Sequence, residues 1–255
     1  MAFRSRIGRA AAAAITSSGT AISASWVRLR AALGQNRPMA SLAVDRPQTL
    51  GEEIANAISH GLGFLLAIAS LPILVWQAGR QGTALDVAAV SVFAGTMILL
   101  YLVSTLYHAL PSSRAKAWFN RLDHAAIYLF IAGSYTPFTF GVLRGAWGLT
   151  LAGIVWTAAA MGVSVKLLNR LRHPLWSTGL YVAMGWVALL AVAPLTQRMP
   201  GAGLAWLAVG GLSYTIGAIV FLFDNRLRYV HFVWHLFVIG GSSCHFCAVL
   251  WHARA

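Results

Sequence analysis

Seven apolar runs, each about twenty residues long, dominate the chain, at 57–78, 87–108, 122–142, 146–165, 175–195, 203–223 and 229–251. A helix needs about 20 residues to cross a hydrocarbon core of ~30 Å. None of the runs keeps a period-two alternation, so they read as helices and not as barrel strands. The polar segments between them are short, which makes successive helices antiparallel neighbours. The pattern predicts an all-α fold: a polytopic membrane protein built as a seven-transmembrane helix bundle. Pro72, Pro137 and Pro194 fall inside runs and are expected to kink them. Trp118, Trp147 and Trp176 sit near run ends, where an interfacial aromatic belt belongs.

Composition excludes a soluble alternative. Of 255 residues, 58% are hydrophobic and only 10% charged, with a mean hydropathy of +0.70. A water-soluble domain carries roughly 25% charged residues. The formal net charge of +13 does not point to nucleic acid, because the cations are dispersed between apolar runs and form no continuous stripe. The anionic partner they fit is the headgroup layer of membrane lipids. No protein partner can be named from the sequence.

The cations also orient the chain. With seven crossings, 15 of the 19 Lys and Arg fall on the side of the N-terminus and 4 on the other. Counting short loops alone leaves 8 against 3. The positive-inside bias then places the N-terminus in the cytoplasm and the C-terminus outside. Residues 1–44 contain no Asp or Glu but several Arg, Ala and Ser. We expect residues 1–45 to be a basic extension, disordered or dispensable, and 46–255 the membrane domain. Met39 would open a shorter chain that loses no apolar run.

Ionisable groups within spans are costly, and so are the first places to look for function. Glu53, Asn56 and His60 stand at i, i+3 and i+7 and form one stripe on the first helix. Ser104 and His108 lie one turn apart at the end of the second, Asp123 opens the third, and His231 and His235 open the seventh. The topology delivers all of them to one leaflet, the cytoplasmic one. His231 and His235, spaced i, i+4, share a helix face ~6 Å apart along the axis. Two imidazoles so placed can share a metal, and His108 would complete the three-ligand set of a catalytic zinc. The competing reading is a pair of headgroup-level histidines hydrogen-bonded to their neighbours. His245 lies ten residues beyond His235, about 15 Å deeper, and is read as a core hydrogen-bonding residue. Cys244 and Cys247 are read as small packing residues. His173 and His252 are read as solvated, and His124 as either tuning Asp123 or meeting a headgroup.

These residues carry a resemblance. Glu52-Glu53-Ile-Ala-Asn56-Ala-Ile-Ser-His60-Gly resembles the opening signature of the bacterial haemolysin III family, within the progestin and adipoQ receptor (PAQR) superfamily. Ser104-Thr-Leu-Tyr-His108, Leu122-Asp123-His124-Ala-Ala-Ile-Tyr, Gly133-Ser-Tyr-Thr-Pro137-Phe, and His231-Phe-Val-Trp-His235 followed by His245 also look like its motifs. The resemblance spans about 46–252. It implies a seven-helix bundle with the N-terminus inside and an intramembrane zinc held by His108, His231 and His235. Ser104 and Asp123 match the family's neighbouring polar positions. Similar Ser, Asp and three-His sets occur in alkaline ceramidases, which hydrolyse a lipid amide.

Three functions follow as expectations. The first is a zinc-dependent lipid amide hydrolase, with Asp123 as the proton acceptor and Ser104 orienting water or donating to an oxyanion. The second is a non-enzymatic lipid-sensing or membrane-homeostasis protein with a structural zinc. A pore-forming haemolysin ranks last, because the outer halves of the helices are almost wholly apolar.

Overall fold

The computed structural model describes residues 46–170 and 173–253. Within them the chain forms α1 (Leu50–Gln81), α2 (Ala84–Ala109), α3 (Arg114–Phe140), α4 (Ala146–Leu167), α5 (Pro174–Gly185), a 3₁₀ turn (Trp186–Ala191), α6 (Val192–Arg198), α7 (Gly201–Phe221) and α8 (Val230–His252). No strand occurs among the described residues. The expectations for the basic extension and for Met39 concern residues outside them.

Among the described residues, six helical segments are long and apolar enough to cross a membrane; α5, the 3₁₀ turn and α6 together make one of them. Their apolar residues point outward as well as inward: Leu62, Leu65, Leu66 and Ile73 of α1 are all about half exposed. Such a surface has hydrocarbon as its solvent. The chain is a membrane protein. Long though it is, α3 does not match the others in apolarity. It carries Arg114, Lys116, Arg121 and Asp123 in its first turns and Ser134, Thr136 and Thr139 near its end. Its place explains the composition. α3 packs against α2, α4, α5 and α8, and Ala125, Ala126, Tyr128, Phe130, Ala132 and Gly133 are all buried. A helix surrounded by protein has little lipid to satisfy.

Two sequence expectations shift here. Asp123 does not open the third helix: Ser113 caps it and the helix starts at Arg114, so Asp123 lies in the third turn. The run at 175–195 is not one continuous helix but breaks into a 3₁₀ turn. Pro194, lacking an N–H, cannot bond the carbonyl of residue 190, and the Tyr135 hydroxyl bonds the irregular stretch instead. That hydroxyl donates to the Gly185 carbonyl (2.6 Å) and accepts from Ala188 N–H (2.9 Å).

The bundle closes on itself, since α1 packs against both α2 and α8, and α8 in turn against α7. The core is built on Leu74, Phe93, Tyr101, Leu143 and Leu151, all 3% exposed or less. Helices α2 and α3 approach closely because position 133 is glycine: a Cβ there would stand 2.0 Å from Thr96 Oγ1. Because the helices alternate in direction, one end of the bundle gathers the starts of α1, α3 and α8 and the end of α2. The candidate site is built at that end.

Candidate metal centre

His108 stands in the last turn of α2, while His231 and His235 occupy the first turns of α8. One ring nitrogen from each lies within 4.8 Å of the others, a spacing at which the three could hold a metal ion. His108 and His235 are buried, and His231 is partly so.

Each ring is held by its Nδ1. His108 Nδ1 donates to Glu53 Oε2 at 2.8 Å and His231 Nδ1 to Asp224 Oδ2 at 3.0 Å. His235 Nδ1 meets Ser59 Oγ at 3.0 Å. The Ser59 hydroxyl already donates to the Asn56 carbonyl (2.9 Å), so here it accepts from the ring. A neutral imidazole that donates from Nδ1 keeps a lone pair on Nε2. The three side chains that hold the rings therefore leave three Nε2 atoms as ligands. His108 Nε2 is buried with no hydrogen-bond partner, a costly state for a polar atom and the natural one for a ligand. A ligating histidine that donates its other N–H to a carboxylate or similar acceptor is the usual support of a metal site. The residues fit the ion that the resemblance implies, and three imidazoles suit zinc.

Glu53 does more than hold His108, for its other oxygen pairs with Lys116 Nζ at 3.0 Å. That ammonium also donates to the carbonyls of Tyr107 (2.9 Å) and Leu110 (3.1 Å) and so ties off the end of α2. Behind Asp224 stands Gln48, whose Nε2 reaches the same Oδ2 at 3.4 Å and whose Oε1 accepts from Asn56 at 2.7 Å. Arg46 grips Glu52 with two nitrogens, and Glu52 also accepts from Tyr229 N–H (2.9 Å) at the start of α8. Pairing with Glu52 lifts the Arg46 guanidinium further above its ordinary range.

A second polar group adjoins the histidines. His60 stacks flat on His235, centroids 3.4 Å apart, and its Nδ1 bonds Ser104 Oγ at 2.7 Å. Ser104 also bonds the buried Asp123. His60, Ser104, Asp123, His231 and His235 line one wall of a cavity of about 470 Å³ that continues into the bundle between apolar side chains. That volume is in the range of small-molecule sites. Leu189 and Val192 line the cavity too, and both are at least half exposed on the outer surface, so it reaches the lipid-facing side of the bundle.

The structure thus brings together Ser104, His108, Asp123, His231 and His235, and it divides the Glu53, Asn56 and His60 stripe among three tasks. His124 Nδ1 bonds the Asn120 carbonyl at 2.7 Å within its own helix. His173 is exposed and His252 half-buried, while Cys244 and Cys247 are free and half-buried. Sequence reasoning missed Ser59, Gln48 and Asp224. Ser59 stands one residue before His60 and faces the site because it follows Asn56 at i+3. For Asp224 the signal was available: only six acids occur in the chain, and this one lies seven residues before His231.

The comparisons agree with the motifs. The haemolysin-III related family profile matches residues 48–246. The chain belongs to that family. It is 45% identical over 205 residues to Hemolysin-3 of Bacillus cereus, covering 80% of this chain and 93% of that one. With the Hemolysin-3 homolog of Bacillus subtilis it shares 43% identity over 204 residues, 80% of this chain and 95% of the relative. The human monocyte to macrophage differentiation factor is a more distant relative in the PAQR superfamily, 29% identical over 155 residues, 59% of this chain and 64% of the other.

Proposed function

We propose that this protein is a zinc-dependent hydrolase acting on a membrane lipid, with an amide as the bond cleaved. One observation carries the reading: the wall that bears His231 and His235 also bears a buried carboxylate and hydroxyl, and it closes an apolar cavity open toward lipid. A purely structural tie between helices needs no such cavity.

An ion held by His108, His231 and His235 supplies Lewis acidity toward a carbonyl and toward water at neutral pH. Glu53, Ser59 and Asp224 fix the tautomer and direction of the three rings. Asp123 is the proton acceptor, since its carboxylate is the acid on the cavity wall. Ser104 donates to Asp123 and accepts from His60 Nδ1, which orients the carboxylate toward the cavity. The apolar walls seat the acyl chain and exclude bulk water, which strengthens every polar contact at the closed end. Substrate enters sideways between Leu189 and Val192.

The reading includes a seventh crossing by α3, with the N-terminus in the cytoplasm and the site in the inner leaflet of a bacterial plasma membrane. Eight described cations at the histidine end support it, against Arg80, Arg144 and Arg198 at the other. Reporter fusions in the α2–α3 connection and after His252 should lie on opposite sides; the same side for both would remove one crossing. The Bacillus relatives' name speaks of haemolysis, but the far half of this bundle is filled by Leu74, Phe93, Leu143 and Leu151, which gives no support to a conduction path.

Purified protein offered ceramide-like amides and phospholipids, with and without a chelator, tests the activity. Turnover should require the metal, and Asp123→Asn should keep the metal while losing at least about 100-fold in rate, the scale of a lost general base. Turnover that survives both chelation and Asp123→Asn would refute the mechanism. No turnover on any lipid by metal-loaded protein would favour the sensing role with a structural ion.

A further inference from the structure

The cavity behind the histidines is elongated along the helix axes. Its wall runs from Asp123 to Thr139 on α3, from Phe221 back to Leu204 on α7, and from His231 to His245 on α8. At a rise of about 1.5 Å per residue, these stretches measure about 24, 26 and 21 Å. Phe221 marks the histidine end, for its ring meets that of His231 with centroids 5.6 Å apart. Leu195 and Leu204 stand at the other end.

Gly211 stands between the two halves of this slot. It is half-buried and lines the slot from α7. Ten residues separate it from Phe221 and seven from Leu204, so about 15 Å of slot lies on the histidine side and about 11 Å beyond. A Cβ at 211 would meet only the Trp186 ring, at 3.8 Å, an ordinary van der Waals contact. That ring lines the slot from the 3₁₀ turn, and its indole N–H donates to Thr215 Oγ1 at 3.0 Å. The Thr215 hydroxyl in turn donates to the Gly211 carbonyl at 2.8 Å, which fixes the indole beside the glycine. At the neighbouring Gly210 the His245 ring already fills the space of a Cβ, so packing demands glycine there. Packing makes no such demand at 211, where glycine only weakens the helix. What its bareness keeps open is the passage between the two halves.

We propose that the slot takes a straight acyl chain of about 16 to 20 carbons, and that Gly211 sets this length by leaving the far half accessible. The inference rests on the reading of the cavity as a lipid site and adds the length of the chain. An extended chain advances about 1.2 Å per bond. A slot of about 21 to 26 Å therefore holds about 17 to 21 bonds, and its histidine half alone about a dozen. A larger side chain at 211 would close the far half and leave a site for medium chains.

The full-length, zinc-loaded protein in detergent is incubated with an equimolar mixture of decanoate, dodecanoate, palmitate, stearate and tetracosanoate, then re-isolated. Mass spectrometry compares the bound acids with the free pool, which cancels each acid's own preference for the micelle. The wild type should enrich palmitate and stearate over both the shorter acids and tetracosanoate. Gly211→Leu should move the maximum to decanoate and dodecanoate and lower the stearate-to-decanoate ratio at least about 10-fold, the scale of overpacking a filled site. Gly211→Ala, whose methyl group only reaches contact with Trp186, should keep the stearate preference. Should Gly211→Leu lose its zinc, Ala208→Phe, one turn farther along the same wall, makes the same test. A wild-type profile without a maximum at palmitate and stearate would overturn the proposal. So would a stearate preference that the larger side chain leaves intact, or one already lost in Gly211→Ala. Enrichment of no acid would instead overturn the lipid reading of the cavity, and this inference with it.

Discussion

Helices α1 and α2 begin with the same device at opposite ends of the bundle, and the two differ in what surrounds them. Each start has a threonine cap whose hydroxyl accepts from the backbone three residues on, and an acid at that position that bonds back to the threonine: Thr49 with Glu52, and Thr83 with Asp86. Beyond the cap, Asp86 takes one partner, Arg144, at 3.0 Å. Glu52 takes the Arg46 guanidinium and the Tyr229 N–H, and so joins the segment before α1 to the start of the helix that bears His231 and His235. The Thr83–Asp86 cap satisfies its polar atoms locally, and none of them is left buried without a partner. The histidine end holds the unpartnered Nε2 atoms of His60 and His108. A surplus of buried, oriented but unmatched nitrogen separates a candidate site from a well-finished helix end.

The largest effects should follow from removing a ligand. Elemental analysis of purified protein should find one zinc per chain, most of it lost in His108→Ala and His235→Ala, while His245→Ala keeps it. Full occupancy in His235→Ala would erase the distinction between the two ends. Metal loss in His245→Ala would move the site to the deeper histidine. One step out, Glu53→Gln and Asp224→Asn should still bind zinc but with affinity reduced about 10- to 100-fold, as is usual for partners of ligating histidines. Competition with a chromogenic chelator measures this. Wild-type affinity in both variants would mean that these carboxylates serve only to finish helix ends, as Asp86 does.

The parts of this arrangement legible in the sequence are those with a period or a fixed spacing. Apolar run length located the helical segments, although α1 starts at Leu50 and α3 at Arg114, well before their runs at 57 and 122, and the i, i+4 spacing of His231 and His235 marked one face of α8. Two features were not legible for physical reasons. The break at 186–191 depends on Tyr135, about fifty residues away, whose hydroxyl bonds Gly185 and Ala188, and no local pattern carries that. The holders of the three rings come from two other segments, the first turns of α1 and the loop before α8, and only the packing of α1 against α8 brings Ser59 to His235. The start of α3 was misplaced because its first turns are charged and resemble a connection. Those turns are mostly exposed and stand at the polar end of the bundle, where a helix does not need an apolar coat.

Smaller effects are expected at the far end. Thr83→Ala removes a cap and should cost about 1 kcal/mol, read as a lower unfolding midpoint in detergent, with zinc affinity unchanged.

The smallest change should come from Arg144→Met. The Arg144–Asp86 pair is about half exposed on the arginine side, and such pairs contribute roughly 0–1 kcal/mol because solvent screens them and holding two side chains costs entropy. Asp86 would keep both of its bonds to Thr83, so the start of α2 stays capped. Midpoint and zinc affinity should both match wild type within error. A loss of metal in this variant would show that the two ends are coupled through α2, which carries Asp86 in its first turn and His108 in its last. The contrast between a finished end and an unfinished one would then describe a single cooperative unit.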